Sequence, residues 1–261
     1  MTCCVVWGQA SANQKLLIDG STGVKPLIEA LIAEYQNTAQ VPLITIGKGL
    51  NPQKRIQALI DQDIDIAMAS HGIDIEQISK LGLTVHHIAK VAVVIGVNDS
   101  VKINDINHQH LCEIYQGKLD NWQLLGGDKQ IIHPFIRPFS EVDTAVIAAH
   151  IHCFTESSIS TKIPEMAKSG QMARALSQTS GAIGMTTQVR VSQSSGQIKA
   201  LAINGVKPSV NNLSSGAYPF TRDSFLIAPK QPSQAVLAFL TFIRSDNGAL
   251  VITRNDAIPA K

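Results

Sequence analysis

Short apolar runs alternate with amphipathic segments through the first hundred residues, and this alternation constrains the fold more than any other feature. Strand-like KLLID precedes a helical pattern over 24–36, with Leu27, Leu31 and Tyr35 on one apolar stripe. VPLITIG, a helix in PQKRIQALIDQ and strand-like IDIAMAS follow. Strands separated by helices of this length predict right-handed βαβ units around a parallel sheet. The strands are apolar throughout, as expected when helices cover both faces. LTVHHIA and KVAVVIGVN read as further strands, the second ending at Asn98 as a crossover into another lobe. A second alternating set has a helix near 107–115, strand QIIHPFI, helices near 141–154 and 165–177, and strands GAIGMTT and IKALAIN. RDSFLIAP reads as a returning strand, and PSQAVLAFLTFIRS as a helix whose start suits Pro232 and Ser233. The 261 residues accommodate two α/β lobes. The expected division is 13–97 plus 206–261 for the first and 98–205 for the second.

Composition removes several function classes. A net charge of +2 supplies no field for nucleic acid or an anionic membrane. Aromatic residues, at 5%, are too few for a base-stacking platform. No apolar run approaches the roughly 18 residues that span a bilayer. The opening MTCCVVWGQASANQK carries Ala10-Ser11-Ala12, a small-x-small triplet of the type cut by signal peptidase, but no basic stretch before it. Residues 1–12 read as a soluble tail or, preferably, as a shortened export signal, with mature chain from about Asn13. Cys112 and Cys153 then remain, either paired in an oxidising compartment or buried as two thiols. Neither has metal-like spacing.

In open α/β sheets, ligands bind beyond the carboxyl ends of strands, where helices begin. Three such junctions carry polar groups. DGSTGVKP sets Ser21 and Thr22 between glycines at a helix start, where unpaired amides and the positive end of the dipole cradle an anion. Capping of the helix by either hydroxyl is the competing explanation. IDIAMASHGI puts Ser70 and His71 at the same sheet edge, or at an ordinary turn. IIHPFIRPFSEVDTAV brings Arg137, Ser140, Asp143 and Thr144 into a strand-to-helix turn; Arg137 offers a planar fork of donors to an oxyanion. Here the competing explanation is a capping box of Ser140 with Asp143. Together the junctions suggest an anion held in the cleft between two lobes.

These same stretches resemble the phosphate-binding solute receptors of bacterial ABC uptake systems, in order over most of residues 16–250. IDGSTGVKPLIEALIAEY resembles the family's opening, KRIQALIDQDIDIAMAS its approach to a binding serine, and LCEIYQGKLDNWQLLGGDKQI its most recognisable stretch, in which Trp122 reads as packing. RPFSEVDT stands where the family has an arginine and a serine-glycine-threonine turn; GAIGMTT and YPFTRDSFLIA resemble its later strands. The resemblance implies a two-lobed periplasmic-binding-protein-like α/β fold with mixed, mostly parallel sheets. It implies an exported, monomeric binding protein that takes phosphate or a similar oxyanion and delivers it to an ABC permease, with no cofactor or metal. By position, Ser21, Thr22, Gly23, Ser70, Arg137, Ser140, Asp143 and Thr144 would bind the oxyanion. GKGLN replaces a serine-glycine turn, so Lys48 or Asn51 would compensate, and His71 replaces a common aspartate. Asp143 would accept the proton of monohydrogen phosphate, which sulfate lacks, or pair with Arg137 to orient it.

Two other functions compete. For an enzyme, the sequence has no G-x-S-x-G elbow and no assignable nucleophile and base. His86-His87, His108-x-His110 and His150-x-His152 diverge on strands and helices and make poor metal sites. A sensing or regulatory receptor for another oxyanion or a small organic anion is the second.

Overall fold

A computed structural model describes residues 15–37, 41–70 and 73–260; the proposed export signal and His71 lie outside them. The chain runs β1 (Lys15–Gly20), α1 (Lys25–Gln36), β2 (Leu43–Ile46), α2 (Pro52–Ile60), β3 (Ile66–Ser70), α3 (Ile75–Lys80) and β4 (Leu83–Asn98). It continues with β5 (Asp105–Ile106), α4 (His108–Tyr115), β6 (His133–Pro134), α5 (Val142–Ala148), α6 (Ser169–Gln178), β7 (Ala182–Thr187) and α7 (Gln188–Ser192). The last part is β8 (Ile198–Ala200), β9 (Ala202–Ile203), α8 (Val210–Ser214), β10 (Thr221–Pro229), α9 (Gln234–Arg244), α10 (Asp246–Arg254) and β11 (Ile258–Pro259).

The main sheet has the order β2-β1-β3-β10-β4-β7-β6, with β8 and β11 also on β4. β2, β1 and β3 run parallel, as do β6 and β7, whereas β4 and β10 are antiparallel to their neighbours. Alternation along β3 shows how its apolar run is used. Ile66 and Met68 join one core with Leu27, Leu31 and Phe239, while Ala67 and Ala69 face Leu59 and Ile78 on the other side. Both faces are therefore covered by helices, which is why no polar residue interrupts the strand. Each fully buried Leu or Ile contributes roughly 1.5–3 kcal/mol.

A separate core fills the second lobe, from Ala92 on β4 to Phe220 before β10. β4 is one 16-residue strand where two were expected. It passes between the cores at Val91 and Ala92, and β10 returns opposite, with Thr221 beside Ala92 and Arg222 beside Val91. Ala92 to Val97, Leu213, Tyr218 and Phe220, placed with the first lobe on sequence grounds, all pack into the second core.

The second lobe departs locally from the expected elements. The helix expected over 141–154 stops at Ala148, because Ile151, Cys153 and Phe154 all face the core. Residues 151 and 153 would point to opposite sides of a continued helix. Cys153 bonds Cys112, settling the open alternative in favour of a disulfide. QIIHPFI pairs with β7 around His133–Pro134, where His133 and Phe135 donate to Gly181 O and Ile183 O, so the missing donor of Pro134 falls on the strand's other edge. IKALAIN splits, since β8 pairs with β4 and β9 with β5. Trp122 is fully buried and donates through Nε1 to Gly181 O at 3.0 Å, in line with a packing role.

Candidate functional site

The expected junctions converge. A pocket of about 250 Å³ is lined from the first lobe by Gly20, Ser21, Thr22, Gly49–Pro52, Arg55 and Ser70. From the second lobe come Ser140, Glu141, Val142, Ala167 and Lys168. Its floor is thus the carboxyl ends of β1 and β3, and its far wall is the turn into α5 and the approach to α6.

The loop after β1 is shaped by what its glycines allow. Gly20 has φ +132, and a side chain there would run into Met68 O. A Cβ on Gly23 would lie 2.8 Å from the Arg222 guanidinium, which itself donates to Gly23 O at 2.9 Å. Asp19, at the end of β1, accepts the amides of Gly20 at 2.7 Å and Gly49 at 2.8 Å and so knits two pocket loops together. Ser21 N–H is spent on Met68 O at 2.9 Å; among the described residues the Thr22 and Gly23 amides have no acceptor.

Neither junction is an ordinary cap. The N-cap of α1 is Val24, without a side-chain hydrogen bond. That of α5 is Glu141, likewise without one. Ser21, Thr22 and Ser140 are therefore not spent on capping. Ser21 Oγ lies 3.5 Å from Ser70 Oγ, so both hydroxyls stand at the floor of the pocket.

The cation of the site is Arg55, absent from the sequence-based set. It sits on the buried stripe of α2 with Leu59, is 9% exposed, and among the described residues meets no carboxylate within ion-pair distance. Its Nε is buried without an acceptor, and burial pushes the guanidinium below its usual range. A buried unpaired cation is costly unless an anion joins it. The sequence signal was an arginine one turn before Leu59 on an otherwise apolar stripe.

Arg137, Asp143 and Thr144 lie behind the second-lobe wall, outside the pocket lining. Arg137 donates to Met166 O and to Glu141 Oε2, both at 2.6 Å. Thr144 Oγ1 turns inward to donate to Arg137 O at 3.0 Å. Asp143 neither faces the pocket nor pairs with Arg137. It sits on the inner face of α5 and meets Arg222, whose Nε is 2.9 Å from Oδ1, a contact of opposite charges whose N–H is not aligned as a hydrogen bond. The carboxylate on the pocket wall is Glu141 instead. Asn51 lines the pocket but its side-chain oxygen caps α2, accepting from Lys54 N–H at 2.9 Å; exposed Lys48 lies outside it.

The lobes touch above the pocket. Ser169 Oγ donates to Thr22 O at 2.8 Å, and Lys168 Nζ to Lys48 O at 3.2 Å. Among the described residues no group of three or more His, Cys, Asp or Glu is placed to hold a metal. His86 pairs with Arg244 and His87 with Asp223.

The phosphate-binding protein PstS of Bacillus subtilis is 26% identical over 252 residues, covering 92% of this chain and 78% of that protein. The crystal structure of a Clostridium perfringens protein with bound phosphate matches with a TM-score of 0.75 at 21% identity, over 95% of this chain and 100% of that one. An ABC-type phosphate transport receptor from Vibrio cholerae matches with a TM-score of 0.62 at 20% identity, over 93% and 99%. These two likenesses establish the two-lobed fold. The family profile described as the PBP superfamily domain matches residues 8–247, nearly the whole chain, and the protein belongs to that superfamily.

Proposed function

We propose that this protein is a receptor rather than a catalyst. It captures a small tetrahedral oxyanion, inorganic phosphate first among them, and presents it to an ABC permease outside the cytoplasm. The observation that carries this reading is Arg55, a buried cation with no counter-charge among the described residues, on a pocket whose serines and threonine are free of capping duty. A bound dianion would supply the missing counter-charge and receive hydroxyl donors from Ser21, Thr22, Ser70 and Ser140 and amide donors from Thr22 and Gly23. Arg137, Asp143 and Thr144 hold the wall that carries Ser140 and Glu141. The lobes in this reading are 15–91 with 221–260, and 92–220, following the division of the cores, with Val189 of α7 reaching into the first. Fixed donors satisfy the anion's desolvation demand without a strongly positive protein. The phosphate-binding names of the relatives point to the same ligand. Export is supported by the Cys112–Cys153 disulfide, a bond rare in the cytosol.

Calorimetric titration of the purified protein with phosphate, arsenate, sulfate, molybdate and a small organic acid tests this. Phosphate should bind with one-to-one stoichiometry, and Arg55→Gln should weaken it by about tenfold to a hundredfold, the range of a charge-assisted hydrogen bond. No heat with any oxyanion overturns the proposal.

A further inference from the structure

Beside the pocket, and continuous with it through Thr22 and Lys168, lies a second basin of about 380 Å³. Five cations line it, Lys25, Lys48, Lys168, Arg174 and Arg190, against one carboxylate, Glu29. Both lobes contribute, with Lys25 at the start of α1 and Arg174 on α6.

These cations are not consumed by the protein. Lys25 Nζ donates to Gly47 O at 3.3 Å and is 3.8 Å from Glu29, and Lys168 Nζ donates to Lys48 O at 3.2 Å. An ammonium has three protons, so each retains donors. Arg190 Nε is buried with no acceptor among the described residues. Among the described residues the Arg174 guanidinium has no partner at all. A single tetrahedral anion at Ser21, Ser70 and Arg55 leaves all of this unused.

We infer that the site is bipartite and takes a condensed phosphate, with one phosphoryl group in the first pocket and the next over the lysine and arginine basin. This rests on the oxyanion reading above. Two tetrahedral anions linked through one bridging oxygen suit two basins that share Thr22 and Lys168, and the surplus of cations matches the higher charge of such a ligand. A basin that merely steers anions inward would favour each oxyanion in proportion to its charge and lose that preference as salt rises; a bipartite site makes short contacts and keeps its preference at high salt.

The test is calorimetry with inorganic phosphate and inorganic pyrophosphate without divalent metal, at about 0.1 M and again at about 1 M salt, where the Debye length falls to about 3 Å, on the wild type, the double variant Lys25→Gln with Arg174→Gln, and Glu29→Gln. All three sites are partly or fully exposed, and melting curves check that the variants fold. Pyrophosphate should displace phosphate. At both salt concentrations the double variant should weaken pyrophosphate about tenfold while changing phosphate less than about threefold, given charged contacts at a half-exposed site. A selectivity that disappears at high salt marks steering and overturns the inference. Glu29→Gln should strengthen pyrophosphate. Equal weakening of both ligands by the double variant, or phosphate binding without pyrophosphate binding, overturns the inference and leaves the phosphate receptor standing. Pyrophosphate binding that falls selectively, with no phosphate binding, supports the bipartite site against the simple receptor. No heat from either ligand overturns both.

Discussion

In the proposed receptor, Glu141 is the residue on which ligand choice would turn. Its carboxylate lines the pocket and is held there by Arg137 at 2.6 Å. A carboxylate beside an oxyanion repels it, unless the anion brings a proton to share. Monohydrogen phosphate has one and sulfate does not, so the wall penalises sulfate. Glu141→Gln keeps the shape, removes the charge and adds a donor. Sulfate affinity should rise about tenfold relative to phosphate, a change of roughly 1.4 kcal/mol. An unchanged ratio in competition titrations means that the carboxylate does not read the ligand. The sequence reading gave this role to Asp143, two residues further on, which lies outside the pocket lining. Spacing along a turn does not say which carboxylate faces out, and the rotation of α5 decides it. Ser21, Thr22, Ser70 and Ser140 were legible because strand ends and helix starts mark them. Arg55 was not, because an arginine within an amphipathic helix ordinarily lies on the solvent face. Its place one turn before Leu59 was a faint signal, and burial shows that it turns inward.

At the scale of elements, the two crossing strands carry a device that sequence did not disclose. Arg222 sits on β10 opposite Val91 of β4, where the chain passes between the cores. It reaches Gly23 O in the pocket loop of one lobe and Asp143 on α5 of the other. The pair is buried, at 1% and 7% exposure, so stranding the guanidinium is expensive. Asp143→Asn should cost about 3–5 kcal/mol in urea unfolding, whereas Asp143→Leu combined with Arg222→Met should recover most of that loss. A cost below about 1 kcal/mol for Asp143→Asn shows that the pair does not hold the lobes in register. RDSFLIAP was readable as a strand, yet nothing in it marks its arginine as a link between the lobes. The helices α1, α2 and α9 were visible in the sequence, and β3 as an apolar run; α1, for instance, begins one residue from its expected start. The helix at 142–148 was overestimated because its apolar spacing continues into a turn fixed by tertiary packing and a disulfide.

For the whole molecule, strand–helix alternation announced two α/β lobes, but it could not place their boundary. An uninterrupted apolar run such as 91–97 serves both cores, and nothing polar marks where it passes from one to the other. Nor does a strand of such composition reveal that β4 and β10 run antiparallel to their neighbours, since antiparallel strands covered on both faces are as apolar as parallel ones. Stability, too, divides between the lobes. The disulfide joins residues 41 apart in the second lobe, and its loop encloses Arg137, Ser140, Glu141 and α5. Removing the link restores to the unfolded chain the entropy that the closed loop denied it, up to about 4 kcal/mol for a loop of this length. Reductant, or Cys112→Ser with Cys153→Ser, should therefore lower the melting transition of the second lobe by several degrees and leave the first lobe's transition in place. Phosphate affinity should fall in parallel, because the loosened segment carries one whole wall of the pocket, while Arg55 and Ser70 stay where β3 and α2 hold them. The double serine variant must then show no further response to reductant. If wild-type melting and binding are both indifferent to reduction, the link does not hold that wall, and packing of Ile147, Ile151 and Phe154 against the second core suffices to position it.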